Sequence, residues 1–196
     1  MKSRMGTLSA AVSAMALAVA APGAGAVDVG VGVSLNNVGS GSGGYGVSLP
    51  LRFGNITVEP DLSFYDFTSD TTYPSLPTDN SSSDNSQLAL ETGVYWRQQM
   101  VPSLEMYVGG RVGYSQNDNS TAYAAGTTSK VTEEGFYLGP TLGAEYFFNQ
   151  HFSLGLDVSL LFGSFSAEYS TNGVVTTERD TDRIDYQTRA KLRFYF

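Results

Sequence analysis

The protein has 196 residues, of which 41% are hydrophobic, 12% aromatic and 15% charged, with no cysteine. The missing cysteine excludes disulfide scaffolds, thiolate zinc sites and cysteine nucleophiles. A net charge of −8 argues against a nucleic-acid partner, because phosphates repel such a chain.

The first 26 residues have the layout of a secretory signal peptide. Lys2 and Arg4 give a positive start, an apolar stretch covers 8–21, and Ala24-Gly25-Ala26 forms a small-x-small cleavage site. An uncleaved anchor helix is the alternative, but the apolar stretch is short for a membrane span. We therefore predict cleavage after Ala26 and one domain over residues 27–196. No long apolar run follows, so the mature chain lacks helical spans.

Beyond position 26, apolar and polar residues alternate. Successive side chains of a strand point to opposite faces, so this pattern predicts two-faced strands. Eight segments show it: 27–35, 45–53, 56–64, 88–96, 104–114, 136–148, 152–162 and 184–196. Short turns alternate with long polar loops at 37–44, 66–86, 116–134 and 167–182. This arrangement predicts an all-β, eight-stranded antiparallel up-and-down transmembrane β-barrel.

Three prolines interrupt the predicted strands. Pro50, Pro60 and Pro140 each remove one donor from the strand pairing. We expect bulges or shifted strand boundaries at these positions.

The polar face of the strands distinguishes a membrane barrel from a soluble barrel with an apolar interior. It is rich in glycine and in charges of nearly balanced sign, which suits the narrow lumen of eight strands. The predicted lumen ion-pair network comprises Asp28, Arg52, Glu59, Asp61, Glu91, Glu105, Arg111, Glu145, Asp157, Asp185, Arg189, Lys191 and Arg193. Arg97 lies on the same face. We expect the basic residues to pair with acids on neighbouring strands, because buried charges require partners.

Aromatic residues on the apolar face cluster at the two ends of the predicted strands. The set beside the short turns is Phe53, Trp96, Phe148, Phe152, Phe194 and Phe196, and the set beside the long loops is Tyr45, Phe64, Tyr114, Phe136, Phe162 and Tyr186. The ten residues from Tyr186 to Phe196 span roughly 25 Å of membrane at a strand tilt near 40°. We interpret the two sets as membrane-interface belts. A sandwich with scattered aromatics is the alternative.

Several polar segments are candidate ligand sites. Residues 39–44 are rich in glycine, but they lack the Lys-Ser/Thr that completes a phosphate-binding loop. The acidic segment from Asp79 to Asn85 could hold Ca²⁺ loosely, but it lacks the spacing and glycine of an EF-hand. We therefore predict solvated loops, with no metal and no cofactor.

The carboxyl end, with Phe194 and Phe196, resembles the assembly signal of Gram-negative outer-membrane proteins. The stretch 136–160, with Gly139-Pro140 and Leu154-Gly155-Leu156-Asp157, resembles the small barrels of the OmpX and OmpA-transmembrane type. The resemblance implies a location in the outer membrane, contact with lipid and lipopolysaccharide, and insertion by the barrel-assembly machinery through the last strand. It also implies a monomer with a structural or surface-interacting role, not an enzyme.

His151 and Ser153 resemble the His-x-Ser element of the outer-membrane lipid A deacylase. A serine nucleophile also needs an acid that orients its base, and the following strand offers only Asp157 nearby. We therefore favour a polar turn residue at His151 over a catalytic role.

Three functions remain open at this stage. The first is a surface or envelope protein with an occluded lumen, whose loops contact a host or another surface ligand. The second is a narrow ion-conducting pore lined by the lumen charges. The third is a lipid-modifying enzyme based on His151 and Ser153.

Overall fold

The structure, a computed structural model, describes residues 27–37, 44–72, 80–124 and 126–196. Within these ranges every regular element is a strand. The strands are β1 (Asp28–Asn36), β2 (Tyr45–Ser48), β3 (Leu51–Phe53), β4 (Ile56–Thr71), β5 (Ser81–Val101), β6 (Leu104–Tyr123), β7 (Thr128–Phe147), β8 (Phe152–Thr171) and β9 (Val174–Tyr195). The described residues contain no helix long and apolar enough to cross a membrane.

The strands close into one ring. Each strand pairs antiparallel with its neighbours, and β9 returns to β1 over seven residue pairs, from Gly30 opposite Tyr195 to Asn36 opposite Arg189. β2 and β3 lie end to end between β1 and β4, so together they form one strand of the ring. The ring therefore has eight strands, which confirms the predicted fold class.

Two of the three prolines interrupt strand pairing, and none of them shifts the register. Pairing of β2 with β4 stops at Ser48 opposite Asp61 and resumes in β3 in the same register, with Pro50 in the gap. Pro140 leaves a similar gap between β7 and β8. Pro60 stays in register with Thr92 of β5. The expected bulges at prolines are thus wrong, and the register shifts lie at Gln99/Val101 and Tyr169/Ser170 instead. The alternative expectation, a changed strand boundary, is met at Pro50, where β2 ends at Ser48 and β3 begins at Leu51.

Most of the predicted long loops are strand. β4 and β5 pair up to Thr71 opposite Ser81, and β6 and β7 pair up to Ala122 opposite Thr128. The prediction of loops at 66–86, 116–134 and 167–182 was therefore wrong for these paired parts. Both faces of these segments are polar, so they carry no period-two signal even though their backbones pair. Three of the predicted features lie outside the described residues. These are the signal peptide (1–26), most of the glycine-rich segment (within 38–43) and Asp79 (within 73–79).

The two faces of the ring differ in chemistry. Apolar side chains on the outside are widely exposed, as at Leu138 (63%), Leu142 (56%) and Leu156 (57%). Side chains on the inside are buried and mostly polar or charged. A wall with this distribution suits hydrocarbon on its outer face and a polar interior.

The hairpin between β8 and β9 depends on a two-residue turn. Thr171 pairs with Val174, and Asn172 and Gly173 between them have positive φ angles of 51° and 78°. Two positive φ angles in succession define a type I′ turn, which favours Asn-Gly.

We expect Gly173→Val to destabilise this hairpin by about 1–2 kcal/mol, because the left-handed conformation crowds a side chain. A Cβ at Gly173 would meet nothing within 4 Å, so the cost comes from the backbone alone. Amide hydrogen exchange at the ends of β8 and β9 measures the change. Gly173→Asn is the control and should leave exchange nearly unchanged, so equal effects of Val and Asn would contradict the turn assignment.

Candidate functional site

The lower end of the lumen, beside the short turns, holds two arginines and two glutamates. Arg52 Nη2 lies 2.9 Å from Glu105 Oε1, and Arg97 Nε lies 2.8 Å from Glu105 Oε2. Arg97 also donates to Glu145 across the lumen. Glu105 thus joins two arginines, and Arg97 continues the contacts upward.

The middle of the lumen is organised by β9, whose inward face carries Lys191 and Arg193. Arg193 lies 2.9 Å from Glu145 and 2.8 Å from Glu59. Lys191 Nζ lies 3.0 Å from Glu59 and 2.9 Å from Asp157. Residues two apart on one strand share a face, so a single strand supplies both cations to acids on three other strands.

The upper part of the lumen continues the alternation of charge. Arg111 lies 3.5 Å from Asp157 and 3.6 Å from Glu91. Arg189 donates to Glu91 and lies 3.3 Å from Asp61. Asp61 is therefore the last member of the series.

These contacts form one unbroken series of alternating charge, which we call the lumen chain. Its members in order are Arg52, Glu105, Arg97, Glu145, Arg193, Glu59, Lys191, Asp157, Arg111, Glu91, Arg189 and Asp61. The lumen chain contains six cations and six anions, so it carries no net charge. Side-chain exposure is 16–17% at Arg52 and Glu105 and at most 3% at the other ten. Buried charges of this kind are tolerable only when each has partners.

Tyrosines fill the space around the lumen chain. Tyr107 donates to Asp157 at 3.2 Å, Tyr195 donates to Glu145 at 2.9 Å, and Tyr137 donates to Glu91. Tyr95 accepts from Arg111 at 2.9 Å. The sequence analysis singled out charges and missed these tyrosines, although their positions on the polar face could have identified them.

Glycine makes room for the tyrosine rings. A Cβ at Gly143 would lie 2.3 Å from Tyr107 Cζ, and a Cβ at Gly113 would lie 2.6 Å from Tyr137 Cζ. Contacts this short are impossible, so the rings occupy the space that larger residues would need. The glycine on the polar face therefore reflects close packing inside the lumen.

Two predicted members lie outside the lumen chain. Asp28 is exposed at the first position of β1 and forms no ion pair within the described residues, because Arg52, the residue opposite it on β3, pairs with Glu105 instead. Asp185 lies above the chain, where it accepts from Arg183 Nε at 2.7 Å. Arg97, which the predicted network omitted, belongs to the chain through Glu105 and Glu145.

An open vestibule lies above the lumen chain, at the base of the long hairpins, where β1 ends. Its volume is about 230 Å³. Tyr137, Leu161 and Phe165 form an apolar cluster in its lining. The Arg183 guanidinium stacks 3.8 Å from the centre of the Phe165 ring and donates to Glu133 at 2.7 Å.

The aromatic side chains of the outer wall lie in pairs near the strand ends. Tyr45 contacts Phe64 across paired strands, with ring centres 6.3 Å apart, and Tyr114 contacts Phe136 at 5.1 Å. At the lower end Phe148 stacks on Phe152 at 5.4 Å. The remaining belt residues on this wall are Phe53, Trp96, Phe162, Tyr186, Phe194 and Phe196. Their role as membrane-interface residues stays a prediction.

The outer surface of the long hairpins is acidic. Its exposed or half-buried acids, on β4 to β9, are Asp66, Asp70, Asp84, Asp118, Glu134, Glu168, Glu178, Asp180 and Asp182. Lys130 lies among them, 3.1 Å from Asp118. Burial raises the pKa of Asp118, but hydrogen bonds from Thr132, Lys130 and Gln116 outweigh it and lower the pKa overall.

His151 and Ser153 have different hydrogen-bond partners. His151 Nδ1 lies 2.9 Å from the carbonyl oxygen of Tyr195, whereas the Ser153 hydroxyl is buried and donates to Glu145. Successive odd positions share a face, yet His151 lies in the turn before β8 and Ser153 inside the lumen. Within the described residues, no group of His, Asp or Glu side chains is arranged to hold a metal ion.

A protein-family model agrees with this architecture. The model described as the outer membrane protein β-barrel domain matches residues 7–194. This chain belongs to that family. The match confirms the predicted resemblance to small outer-membrane barrels, and the family implies a location in the outer membrane.

Solved structures of outer-membrane proteins are similar to this chain. A major outer membrane protein from Thermus thermophilus is 11% identical, with a TM-score of 0.64, and the match covers 87% of this chain and 100% of that one. Neisserial surface protein A is 16% identical (TM-score 0.48; 87% and 97% covered). Ail of Yersinia pestis is 9% identical (TM-score 0.49; 86% and 96% covered). A search of curated proteins found no match.

Proposed function

We propose that this outer-membrane barrel is a non-conducting structural protein that presents its long hairpins at the cell surface. The observation that carries the proposal is the lumen chain, whose twelve alternating charges follow one another through the barrel. Ten of these side chains are at most 3% exposed, which leaves little room for a hydrated ion.

The hairpins supply the surface for interaction. The six strands from β4 to β9 continue beyond the aromatic pairs Tyr45–Phe64 and Tyr114–Phe136. In barrels of this kind the longer connections face outside the cell and the short turns face the periplasm. Paired strands hold their side chains in a fixed arrangement, which reduces the entropy cost of binding a partner.

The finer points of location and assembly belong to the same proposal. Residues 1–26 act as a signal peptide that is removed after Ala26. The barrel is a monomer, and the assembly machinery recognises β9, whose outward face includes Phe194. The outer wall contacts lipid and lipopolysaccharide. We assign no catalytic role to His151 and Ser153, because each has a different hydrogen-bond partner.

Electrical recording separates this proposal from the ion-conducting alternative. We expect the protein in planar lipid bilayers to show no discrete conductance steps, because the lumen chain blocks the bore. The triple variant R189A/K191A/R193A removes half of the cations and should produce measurable conductance if it folds. Discrete steps from the unaltered protein would contradict the proposal and favour a narrow pore.

A further inference from the structure

Above the membrane the ring is open on one side. β1 ends at Asn36 and pairs with β9 only as far as Arg189, whereas β9 begins at Val174. Within the described residues, no strand pairs with residues 174–187 of β9 on the side away from β8. We call these fourteen residues the β9 edge. At about 3.3 Å per residue the edge is roughly 46 Å long.

The direction of the backbone groups along the β9 edge follows from the pairing below it. The Phe196 N–H donates to Val29, and the Thr188 carbonyl accepts from Asn37, so even-numbered residues face away from β8. The register between β8 and β9 is constant from Phe194 up to Thr177. The backbone groups directed to the open side therefore belong to Glu178, Asp180, Asp182, Ile184 and Tyr186. A strand edge of this kind is a template for another strand.

The side chains of the same five residues lie on the outer surface and are ordered by chemistry. Tyr186 and Ile184, nearest the membrane, are 78% and 65% exposed. Asp182, Asp180 and Glu178 follow above them, and all three are exposed. The outward face of the β9 edge thus presents two apolar residues and then three acids.

A second copy of the chain does not suit the β9 edge. A second copy would bring the same acids of its own edge, and like charges opposite one another are destabilising. The outward side chains of the edge include three acids and no base, whereas Arg179 and Arg183 lie on its inward face, so the outward charge favours a basic partner.

We propose that the β9 edge binds an extended, basic segment of another protein by strand addition. The proposal rests on the surface-presenting function above and names its partner by chemistry. Backbone hydrogen bonds to an exposed edge supply affinity, and alternate side chains supply specificity. A segment antiparallel to β9 carries apolar residues opposite Tyr186 and Ile184, then Lys or Arg opposite Asp182, Asp180 and Glu178. The matching pattern is apolar-x-apolar-x-basic-x-basic-x-basic.

A synthetic peptide with this pattern tests the proposal directly. Fluorescence anisotropy measures its binding to the folded protein in detergent micelles. Two control peptides carry the same composition, one with the basic and apolar halves exchanged and one with alternate backbone nitrogens methylated. We expect each control to bind at least about tenfold more weakly, because one loses the charge match and the other loses backbone donors. Equal binding of the methylated peptide would overturn strand addition.

Variants of the protein complete the test. Asp182→Pro removes an N–H that faces the open side and leaves the pairing with β8 intact, so the barrel should fold and bind at least about tenfold more weakly. D180K/D182K should weaken binding similarly. Asp84→Lys changes an exposed acid of β5, away from the edge, and should change binding less than about twofold. An equal loss in Asp84→Lys would show attraction to the acidic surface in general and would overturn the assignment to this edge. If the peptide or the variants gave either contradicting result, the conductance result would be unaffected. The conductance experiment therefore tests the proposed function separately.

Discussion

Replacement of Glu59 by alanine should destabilise the barrel by about 3–5 kcal/mol, the typical cost of breaking a buried ion pair from one side. Glu59 is 1% exposed and accepts from both Lys191 and Arg193. Its removal leaves two buried cations with fewer acceptors. Urea unfolding in lipid vesicles, followed by the fluorescence of Trp96, measures the loss.

Two further variants define what the Glu59 result means. Asp28→Ala removes an exposed carboxylate without an ion pair in the described structure, so its effect should stay within about 0.5 kcal/mol. E59L/K191M replaces an acid and a base together by apolar residues, and such replacement is often neutral or stabilising. This variant should recover much of the loss. If Glu59→Ala unfolded at the same urea concentration as the unaltered protein, the lumen chain would not stabilise the barrel.

Gly143→Val should destabilise the barrel by about 1–3 kcal/mol, because it overpacks the lumen. A Cβ at this position would lie 2.3–2.6 Å from three atoms of Tyr107. The Tyr107 ring cannot move aside easily, because Tyr95 packs 5.2 Å from its centre and the Arg97 guanidinium lies 5.3 Å away. The same urea unfolding experiment measures the effect.

The control for Gly143 is a glycine on the opposite face. A Cβ at Gly110 would approach no atom closer than 3.6 Å, so Gly110→Ala should be nearly neutral. The double variant G143V/Y107L replaces the Tyr107 ring by a smaller side chain and should restore part of the lost stability. Destabilisation by Gly110→Ala that equals the effect of Gly143→Val would contradict the account of lumen packing.

The fold was predictable because burial in a membrane acts on every second residue. The outward face of β8, from Phe152 to Phe162, alternates so regularly with its inward face that strand and orientation follow together. The ends of the strands were not predictable in the same way. Above the aromatic pairs both faces meet water, so residues such as Asp118 and Thr132 pair without an apolar pattern.

The candidate site was predictable in composition and less so in connection. Period two placed Glu59 and Arg193 on the inner face, but their contact joins residues 134 positions apart. Such a contact depends on the register of every strand between them and on the lengths of the side chains. The upper limit of the lumen chain also depends on this register, which sets Asp185 above it beside Arg183.

The central claim is that the apolar face of the barrel meets hydrocarbon and that the charges face inward. Trp96, the only tryptophan of the chain, lies on the outer wall and is 50% exposed. In vesicles containing lipids with brominated acyl chains, we predict strong quenching of its fluorescence and little quenching by aqueous iodide. Quenching by iodide without quenching by the brominated lipid would contradict the account.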